Sequence, residues 1–531
     1  MLNQANIWLF LGAVMAQLDD TQVYLPEIWA SHARFRGNHL ALVCGEDRLT
    51  WKALNSAMNC VANALLAMGI GTGDKVAILM SNSAEMFKIL FGITKAGACV
   101  VPISTLLTEQ QVATLLADSG AQVLFAGADV SALAQAATTA VDSLRNDGKI
   151  GRGFVAEGWQ DYGQWLGDAP DHEPPVRYDL GDEFNIIYSS GTTGDPKGIV
   201  QTHRARQHWS YSNALELRFT PSSIALATTS LYSNGTWFML LPPMFVGATI
   251  IVMEKFSPQE WLSIVERERV THSFMVPTQF VATLECPALD DHDLSSLKQI
   301  LSAGSPLRPD TRDAIIQRIT PGLFELYGFS EGFATICRPE QMDHQGSVGT
   351  PVVGFDLRII DENDHEVPPG EAGEIVGYGG GLMREYHNKP EITAAAIWRD
   401  ERNRTFLRSG DIGKVDEDGF LYILDRKKDM ILSGGFNIFP KDIETVVGQH
   451  PDVSEVTVIG IPHEKWGETP LALIIAAPGA TPDLDAICDW SNARLAKTQR
   501  LHAIELRDDF PRNALGKVIK RQLREPYWSS S

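Results

Sequence analysis

The chain has 531 residues and a mass of 58.4 kDa, too large for a single hydrophobic core, so we expect several domain-sized units. Hydrophobic residues make up 44% of the chain and charged residues 21%, a balance that excludes a disordered or fibrous protein. The 45 Lys and Arg against 66 Asp and Glu give a formal net charge of −21, which disfavours binding to nucleic acid or to an anionic membrane surface.

The cysteines and the N-terminal segment favour a cytoplasmic protein. The six cysteines are dispersed without a C-x-x-C pair, as in reduced intracellular proteins. The histidines lack a zinc-ligand spacing, which argues against a structural zinc site. Residues 7–16 are apolar, but no basic residue precedes them and they are too few to span a membrane. We therefore expect a docked N-terminal helix there and no stable membrane insertion, with secretion as the minor alternative.

The first part of the chain alternates helical and strand patterns. Apolar runs predict strands, and apolar positions at helical spacing predict the helices between them. This βαβ rhythm predicts a doubly wound parallel sheet. The predicted strands are residues 75–80, 98–103 and 122–125, and the predicted helices start near residue 51 and cover 84–97 and 108–119.

Residues 188–198 form a loop rich in Gly, Ser and Thr that ends near a lysine, Lys197. Glycines let backbone N–H groups approach an anion, hydroxyls donate further hydrogen bonds, and lysine adds a mobile charge. Such a loop can also be a simple turn. Because short apolar runs at 184–188 and 198–200 flank it as strands, we interpret it as a phosphate-binding loop. It is not a Walker loop, since Pro196 precedes the lysine where that pattern has glycine.

The α/β rhythm then repeats and gives way to short strands. Thr202 caps a predicted helix that reaches about residue 215, and further strands and helices alternate from 224 to 304. From about residue 346, short strands separated by acidic and glycine-rich turns predict a small β-barrel or β-rich flank. Alternating β and α units return after residues 425–429, where we place the main domain boundary.

Five further motifs follow the loop, at residues 325–331, 406–411, 424–429, 433–440 and 511–517. In their order and spacing, the six motifs resemble the core motifs of the adenylate-forming superfamily, which includes acyl-CoA synthetases, peptide-synthetase adenylation domains and firefly luciferase. The resemblance covers about residues 40–525. It implies an α/β protein whose N-terminal domain, residues 1–427, has two doubly wound α/β sheets and a small β-barrel at about 346–425. A smaller mobile α+β C-terminal domain, residues 428–531, follows a hinge at Lys428.

The resemblance also implies roles for single residues. Thr192, Thr193 and Lys197 hold the β- and γ-phosphates of ATP, and Glu331 binds Mg²⁺. Lys517 is the catalytic lysine that reaches the carboxylate and the α-phosphate. The other residues expected to contact the nucleotide or coenzyme A are Ser189, Ser190, Gly191, Gly194, Ser302, Ala303, Gly304, Tyr327 at the adenine, Gly328, Ser330 at the α-phosphate, Asp411 at the ribose, Ile423, Arg426, and Gly434 and Gly435 at the pantetheine tunnel.

Each of these residues also has a plainer interpretation. A lone Glu331 or Asp411 is most often a solvated loop carboxylate, and a lone Arg426 or Lys517 a surface charge. Six coincident motifs in family order outweigh that interpretation.

The implied reaction is the activation of a carboxylic acid as acyl-AMP, followed by transfer to coenzyme A. ATP, Mg²⁺ and coenzyme A are the implied cofactors, and a homodimer is left open. An alternative keeps the adenylation but loads a carrier protein or another acceptor. A nonenzymatic nucleotide-binding scaffold is the hypothesis from a different class. Family members that have lost activity would be expected to lack Glu331 or Lys517, and this chain has both residues.

The acyl pocket is expected near residues 231–238. Tyr232 or Ser233 takes the place where relatives acting on aryl acids carry an aromatic residue or histidine. No acidic residue lies between 231 and 252, which disfavours an amino acid substrate. Aromatic side chains there suggest an apolar acid, although such a cluster is as often ordinary core. His203 either faces the acyl site or merely starts a helix. The remaining pocket candidates are Asn234, Trp237 and Phe238.

Lys517→Ala is predicted to separate the two half-reactions. Loss of its charge removes stabilisation of the two anions that meet during adenylation, but not of the later thioester step. Acid-dependent exchange of pyrophosphate into ATP should fall steeply, while thioester formation from a supplied acyl adenylate should persist. An equal loss in both assays would contradict a role confined to the first step.

Overall fold

The computed structural model describes residues 22–188, 196–427, 429–433, 436–512 and 518–528. The two α/β sheets predicted from the sequence are confirmed, and the strands and helices predicted within the described residues agree with the observed ones within two residues at each end. None of the described helices is both long and apolar enough to cross a membrane.

The first sheet has eight strands, and its central strands are parallel. Strand Glu183–Tyr188, which leads into the predicted phosphate loop, pairs antiparallel with Gly198–Thr202, which leaves it. In spatial order the strands are Glu385–Tyr386, Gly198–Thr202, Glu183–Tyr188, Cys99–Pro102, Lys75–Leu79, Val123–Gly127, Lys149–Arg152 and Gln160–Asp161. The helices of this part are Trp51–Ala67, Ala84–Lys95, Glu109–Ser119, Ser131–Ala137 and Tyr162–Leu166.

The second sheet has nine strands and includes the hairpin Leu40–Thr50, which precedes all the other strands in the sequence. Leu42 of that hairpin lies in parallel register with Ile250. In spatial order the strands are Thr350–Pro351, Ala334–Cys337, Leu323–Gly328, Gln299–Ser302, His272–Met275, Ile224–Ala227, Thr249–Val252, Leu40–Cys44 and Asp47–Thr50. Its helices are Leu25–Phe35, His203–Glu216, Leu241–Val246, Pro258–Glu268, Pro277–Leu284 and Pro309–Arg318.

Two smaller sheets follow. An antiparallel sheet of five strands occupies the predicted β-rich flank: Phe355–Ile360, Gly373–Gly379, Ile397–Arg399, Thr405–Val415 and Leu421–Arg426, with the helix Pro390–Ala395. The C-terminal part has the strands Ile431–Ser433, Phe436–Ile438, Val453–His463, Gly467–Ala476 and Ala503–Leu506, and the helices Pro440–Val447, Leu484–Asn492 and Lys520–Trp528. The domain boundary at residue 428 stays a prediction.

Side-chain caps fix where several helices begin. The Thr50 hydroxyl accepts a hydrogen bond from the backbone of Ala53, and Ser83 does the same for Met86. The predicted cap at Thr202 is confirmed, because its hydroxyl accepts from the backbone N–H of Ala205 at 3.3 Å. Helix His203–Glu216 therefore starts directly at the end of a strand of the first sheet. The largest hydrophobic cluster joins side chains of both large sheets, so the two sheets share one core.

A row of asparagines binds the connector that precedes the phosphate loop. Asn55, Asn59 and Asn63 lie four residues apart on one face of helix Trp51–Ala67. They donate hydrogen bonds to backbone carbonyls of residues 170–172 and to the Glu173 carboxylate. The fully buried Lys95 ammonium lies 2.8 Å from the other oxygen of that carboxylate. We call residues 170–173 with these partners the connector clasp.

Glu173→Gln is predicted to destabilise the fold by about 2 kcal/mol. The substitution leaves Lys95 as a buried cation without its counter-charge. The expected loss is below the 3–5 kcal/mol of a fully buried pair, because the Glu173 side chain is 51% exposed and solvent screens its charge. A drop of several degrees in melting temperature should result. Glu157→Gln, at an exposed position, is the control and should leave the melting temperature unchanged. Equal melting temperatures for both variants would show that the Lys95 ion pair adds no stability.

Candidate active site

Two neighbouring parallel strands of the second sheet carry the predicted adenine segments. Strand Gln299–Ser302 pairs in parallel with Leu323–Gly328, with Ser302 in register with Glu325. Ligands of open α/β sheets bind outside the carboxyl ends of such strands. Ser302, Ala303 and Gly304 therefore lie at the same edge as Tyr327 and Gly328. The Ser302 hydroxyl is buried and has no hydrogen-bond partner among the described residues.

A buried carboxylate joins the second sheet to the five-stranded sheet. Asp411 is 3% exposed and accepts a 2.6 Å hydrogen bond from the Tyr327 hydroxyl. Its other oxygen lies 2.6 Å from Nε of Arg426. Burial, and next the charge of Asp411, raise the pKa of Tyr327 well above its ordinary value, so the hydroxyl remains a donor. The three residues predicted for adenine and ribose thus meet, and each carboxylate oxygen keeps a lone pair for a ribose hydroxyl.

The predicted magnesium ligand is held by a tyrosine that sequence reasoning missed. The Tyr386 hydroxyl donates a 2.8 Å hydrogen bond to Oε1 of Glu331. Burial, followed by the negative charge of Glu331, raises the pKa of Tyr386. Strand Glu385–Tyr386 pairs with the strand that follows the phosphate loop, and the Lys197 ammonium lies 5.8 Å from the centre of the Tyr386 ring. No spacing in the sequence points to this pairing.

Glu331 is suited to Mg²⁺ in its chemistry and its orientation. Mg²⁺ prefers carboxylate and phosphate oxygens and keeps several waters. Tyr386 fixes one Glu331 oxygen, and the backbone carbonyl of Glu331 accepts a 2.7 Å hydrogen bond from the N–H of Met383. The second carboxylate oxygen, Oε2, has no partner among the described residues and can serve as a metal ligand.

A cavity of about 130 Å³ lies beside the nucleotide edge. Its wall includes three predicted pocket residues, Asn234, Trp237 and Phe238, and four predicted nucleotide residues, Ala303, Gly304, Gly328 and Ser330. Helix His203–Glu216 contributes Arg206, Trp209 and Asn213, all of which sequence reasoning missed. Acyl-side and nucleotide-side residues therefore share one cavity.

Three predicted pocket residues do not line this cavity. Tyr232 packs against the central hydrophobic cluster, and Ser233 precedes the short 3₁₀ helix Asn234–Met239. His203 is the first residue of its helix and is 1% exposed, and neither ring nitrogen has a hydrogen-bond partner among the described residues. Burial lowers its pKa to about 4, so the imidazole is neutral near pH 7.

Two contacts cross the predicted hinge position. The backbone N–H of Lys441 donates to the Asp425 carboxylate at 3.0 Å, and its ammonium donates to the carbonyl of Ile423 at 3.0 Å. They tie strand Leu421–Arg426 to the start of helix Pro440–Val447. Ile423, predicted at the nucleotide, thus also meets the C-terminal part.

The remaining predicted residues lie outside the part of the chain that the structure describes. They are Ser189, Ser190, Gly191, Thr192, Thr193, Gly194, Lys428, Gly434, Gly435 and Lys517, together with the apolar segment 7–16. Their roles stay predictions.

Two family models match the chain. The model of the AMP-binding enzyme matches residues 29–387, and the model of the AMP-binding enzyme C-terminal domain matches residues 442–517.

Similar proteins cover nearly the whole chain. A feruloyl-CoA synthase from Amycolatopsis sp is 34% identical, over 93% of this chain and 97% of its own. The fatty acid–[acyl-carrier-protein] ligase ScoC from Streptomyces coeruleorubidus is 30% identical, over 96% and 97%. The crystal structure of ATP-bound MatB from Rhodopseudomonas palustris superposes with a TM-score of 0.85 at 27% identity, covering 95% of this chain and 99% of that one.

Tyr386→Phe is predicted to slow adenylation about tenfold by releasing Oε1 of Glu331, an effect that matches the loss of one charge-assisted hydrogen bond. The measurement is pyrophosphate exchange against Mg²⁺ concentration, and the concentration that gives half-maximal rate should rise. Tyr378→Phe removes a surface hydroxyl of similar kind and is the control. Identical Mg²⁺ curves for Tyr386→Phe and the parent enzyme would contradict the role given to Tyr386.

Proposed function

The chain belongs to the family of AMP-binding enzymes, and on this basis we propose how it works as an ATP-dependent, AMP-forming carboxylate–CoA ligase. The observation that carries the proposal is the shared cavity, in which Asn234 and Trp237 on the acyl side face the same space as Gly304 and Ser330 on the nucleotide side. An acid and the α-phosphate of ATP can therefore come into contact within this one cavity.

In the first half-reaction, an oxygen of the acid attacks the α-phosphorus of ATP. A bond forms between that oxygen and phosphorus, the bond from phosphorus to the bridging oxygen breaks, and pyrophosphate leaves. Lys197 and the hydroxyls of the predicted phosphate loop would hold the leaving pyrophosphate. Mg²⁺, when bound, neutralises charge on the phosphates, and Glu331 would hold it. Tyr327, Asp411 and Arg426 would fix the nucleoside, which keeps the α-phosphate in line.

In the second half-reaction, the thiolate of coenzyme A attacks the carbonyl carbon of the acyl adenylate, the bond from that carbon to the phosphate oxygen breaks, and AMP leaves. Rotation of the C-terminal part about Lys428 would replace Lys517 by the glycines 434 and 435 at the cavity mouth. This proposal is supported by the resemblance to enzymes that alternate domains. The two hydrogen bonds of Lys441 to Ile423 and Asp425 span the hinge position, so rotation would have to break them.

The cavity suits a small acid. Its volume of about 130 Å³ is close to the roughly 150 Å³ of an apolar cavity that binds benzene. We therefore propose a substrate with one ring, or a short chain of similar size. The relatives include a feruloyl-CoA synthase, whose acid also has one ring.

Coenzyme A is the acceptor, and carrier-protein loading is the weaker alternative. One relative, ScoC, is a ligase for an acyl carrier protein, so a second acceptor is tested below. We place the enzyme in the cytoplasm as part of the proposal. All six cysteines are free, which suits a reducing compartment. The homodimer left open from the sequence stays an open question of assembly.

Acid-dependent exchange of labelled pyrophosphate into ATP is the first predicted activity, followed by AMP release that requires coenzyme A. A panel of single-ring and short-chain acids should contain at least one active substrate, because a cavity of about 130 Å³ matches acids of that size. If AMP release instead required a phosphopantetheinylated carrier protein, the acceptor would be wrong and the adenylation right. A complete lack of exchange across the panel would leave the nonenzymatic nucleotide-binding hypothesis.

A further inference from the structure

Arg206 is the only fully buried arginine in the described part of the chain, with 3% exposure, and it faces the acyl cavity. It lies on helix His203–Glu216, where Trp209 and Asn213 follow it at spacings of three and seven residues on the same face. The helix therefore presents one cation to a cavity whose other walls are mostly aromatic and aliphatic, with Asn213, Asn234 and Ser330 as its neutral polar side chains.

The hydrogen bonds of Arg206 are made only to neutral groups. Its Nε donates to the side-chain carbonyl of Asn185 at 2.7 Å, and Nη2 donates to that of Asn234 at 2.8 Å. The guanidinium carbon lies 4.6 Å from the centre of the Trp237 ring. The third guanidinium nitrogen, Nη1, has no hydrogen-bond acceptor among the described residues.

Other partly buried arginines have carboxylates. Arg312 pairs with Glu325, and Arg338 makes two bonds to Glu216. Arg206 forms no ion pair with the described carboxylates, and burial alone lowers its pKa to about 9, which leaves it charged near pH 7. A buried charge without a counter-charge has a free-energy cost. A negatively charged or polar group of the ligand would therefore offset a cost that no carboxylate of the described residues offsets.

The position of Arg206 separates it from the reacting end of the acid. Its partner Asn185 lies three residues before Tyr188, where the strand ends and the phosphate loop begins. Three residues of strand span about 10 Å. Arg206 also lines the same cavity as Gly304 and Ser330 of the nucleotide edge, so an acid with one ring can extend from that edge toward Arg206.

We propose that Arg206 makes the enzyme select carboxylic acids that carry a second oxygen acceptor, preferably a second carboxylate, at the end remote from the reacting carboxylate. The selection rests on the proposed ligase function and concerns the acyl part alone. It changes the expectation of a purely apolar acid, which considered the aromatic residues near Trp237 but not the helix that faces them. Among acids of equal size, the one with the remote acceptor should react best.

The test compares matched acids by pyrophosphate exchange. Terephthalate and 4-methylbenzoate have similar shape and differ in the remote group, and 4-acetylbenzoate offers a neutral acceptor. The parent enzyme should prefer terephthalate to 4-methylbenzoate in kcat/KM by about 10- to 100-fold, the range expected for a charged hydrogen bond, with 4-acetylbenzoate between them. Free terephthalate should also raise the melting temperature of the parent enzyme.

Arg206→Met should remove this preference, so that kcat/KM for terephthalate falls to that for 4-methylbenzoate, and should also remove the thermal shift. Arg206→Lys keeps a charge and should keep part of the preference. Arg204→Met changes an exposed arginine of the same helix and should behave as the parent enzyme.

The outcomes separate the two proposals. A terephthalate preference that persists in Arg206→Met, or a parallel loss with all three acids, would overturn the role of Arg206 while the ligase function stands. A parent enzyme that prefers 4-methylbenzoate would overturn it as well. A parent enzyme inactive with every acid of the wider panel would refute the ligase function itself, and the Arg206 assignment with it.

Discussion

The meeting of two anions is the constraint on which this structure depends. A carboxylate must approach a triphosphate inside a protein whose formal net charge is −21. Cations near the cavity are therefore needed to offset the repulsion between the two anions. Arg426 is held by Asp411, and Lys197 lies beside the Tyr386 ring that orients Glu331. Arg206 is buried and forms no ion pair with a described carboxylate. The site thus combines Arg426, which the protein pairs with a carboxylate, with a buried cation that is left for the ligand.

Helix His203–Glu216 belongs to both halves of the site. Its first turn follows the strand that leaves the phosphate loop, and a face one turn further on forms a wall of the acyl cavity. A helix moves as a rigid element, so a shift at the phosphates would move Arg206 as well. The connector clasp around Glu173 holds the chain just before the same region, and the Tyr178 hydroxyl donates to the carbonyl of Lys95. In the proposed mechanism, one set of packed elements would thereby position both the acid and the phosphates.

Most strands and helices could be predicted, because each is a short apolar run or an apolar stripe bounded by turn residues. Pairing partners could not be predicted, since periodicity carries no information on distant neighbours. The hairpin Leu40–Thr50 and the short strand Glu385–Tyr386 both pair with segments far away in sequence. Helix His203–Glu216 could itself be predicted, but its buried face could not. Its buried side includes Arg206, Ser212 and Asn213, which composition alone assigns to solvent.

The parallel pairing of Leu42 with Ile250 has a consequence for synthesis of the chain. At ribosomal rates of about 5–20 residues per second, the hairpin Leu40–Thr50 waits roughly 10–40 s before its partner strand emerges. During that time its apolar strand is an open edge, able to pair with other nascent chains. The first sheet can close most of its strands earlier, from residues 75 to 202. The earliest strands to emerge are therefore among the last whose pairing partners become available.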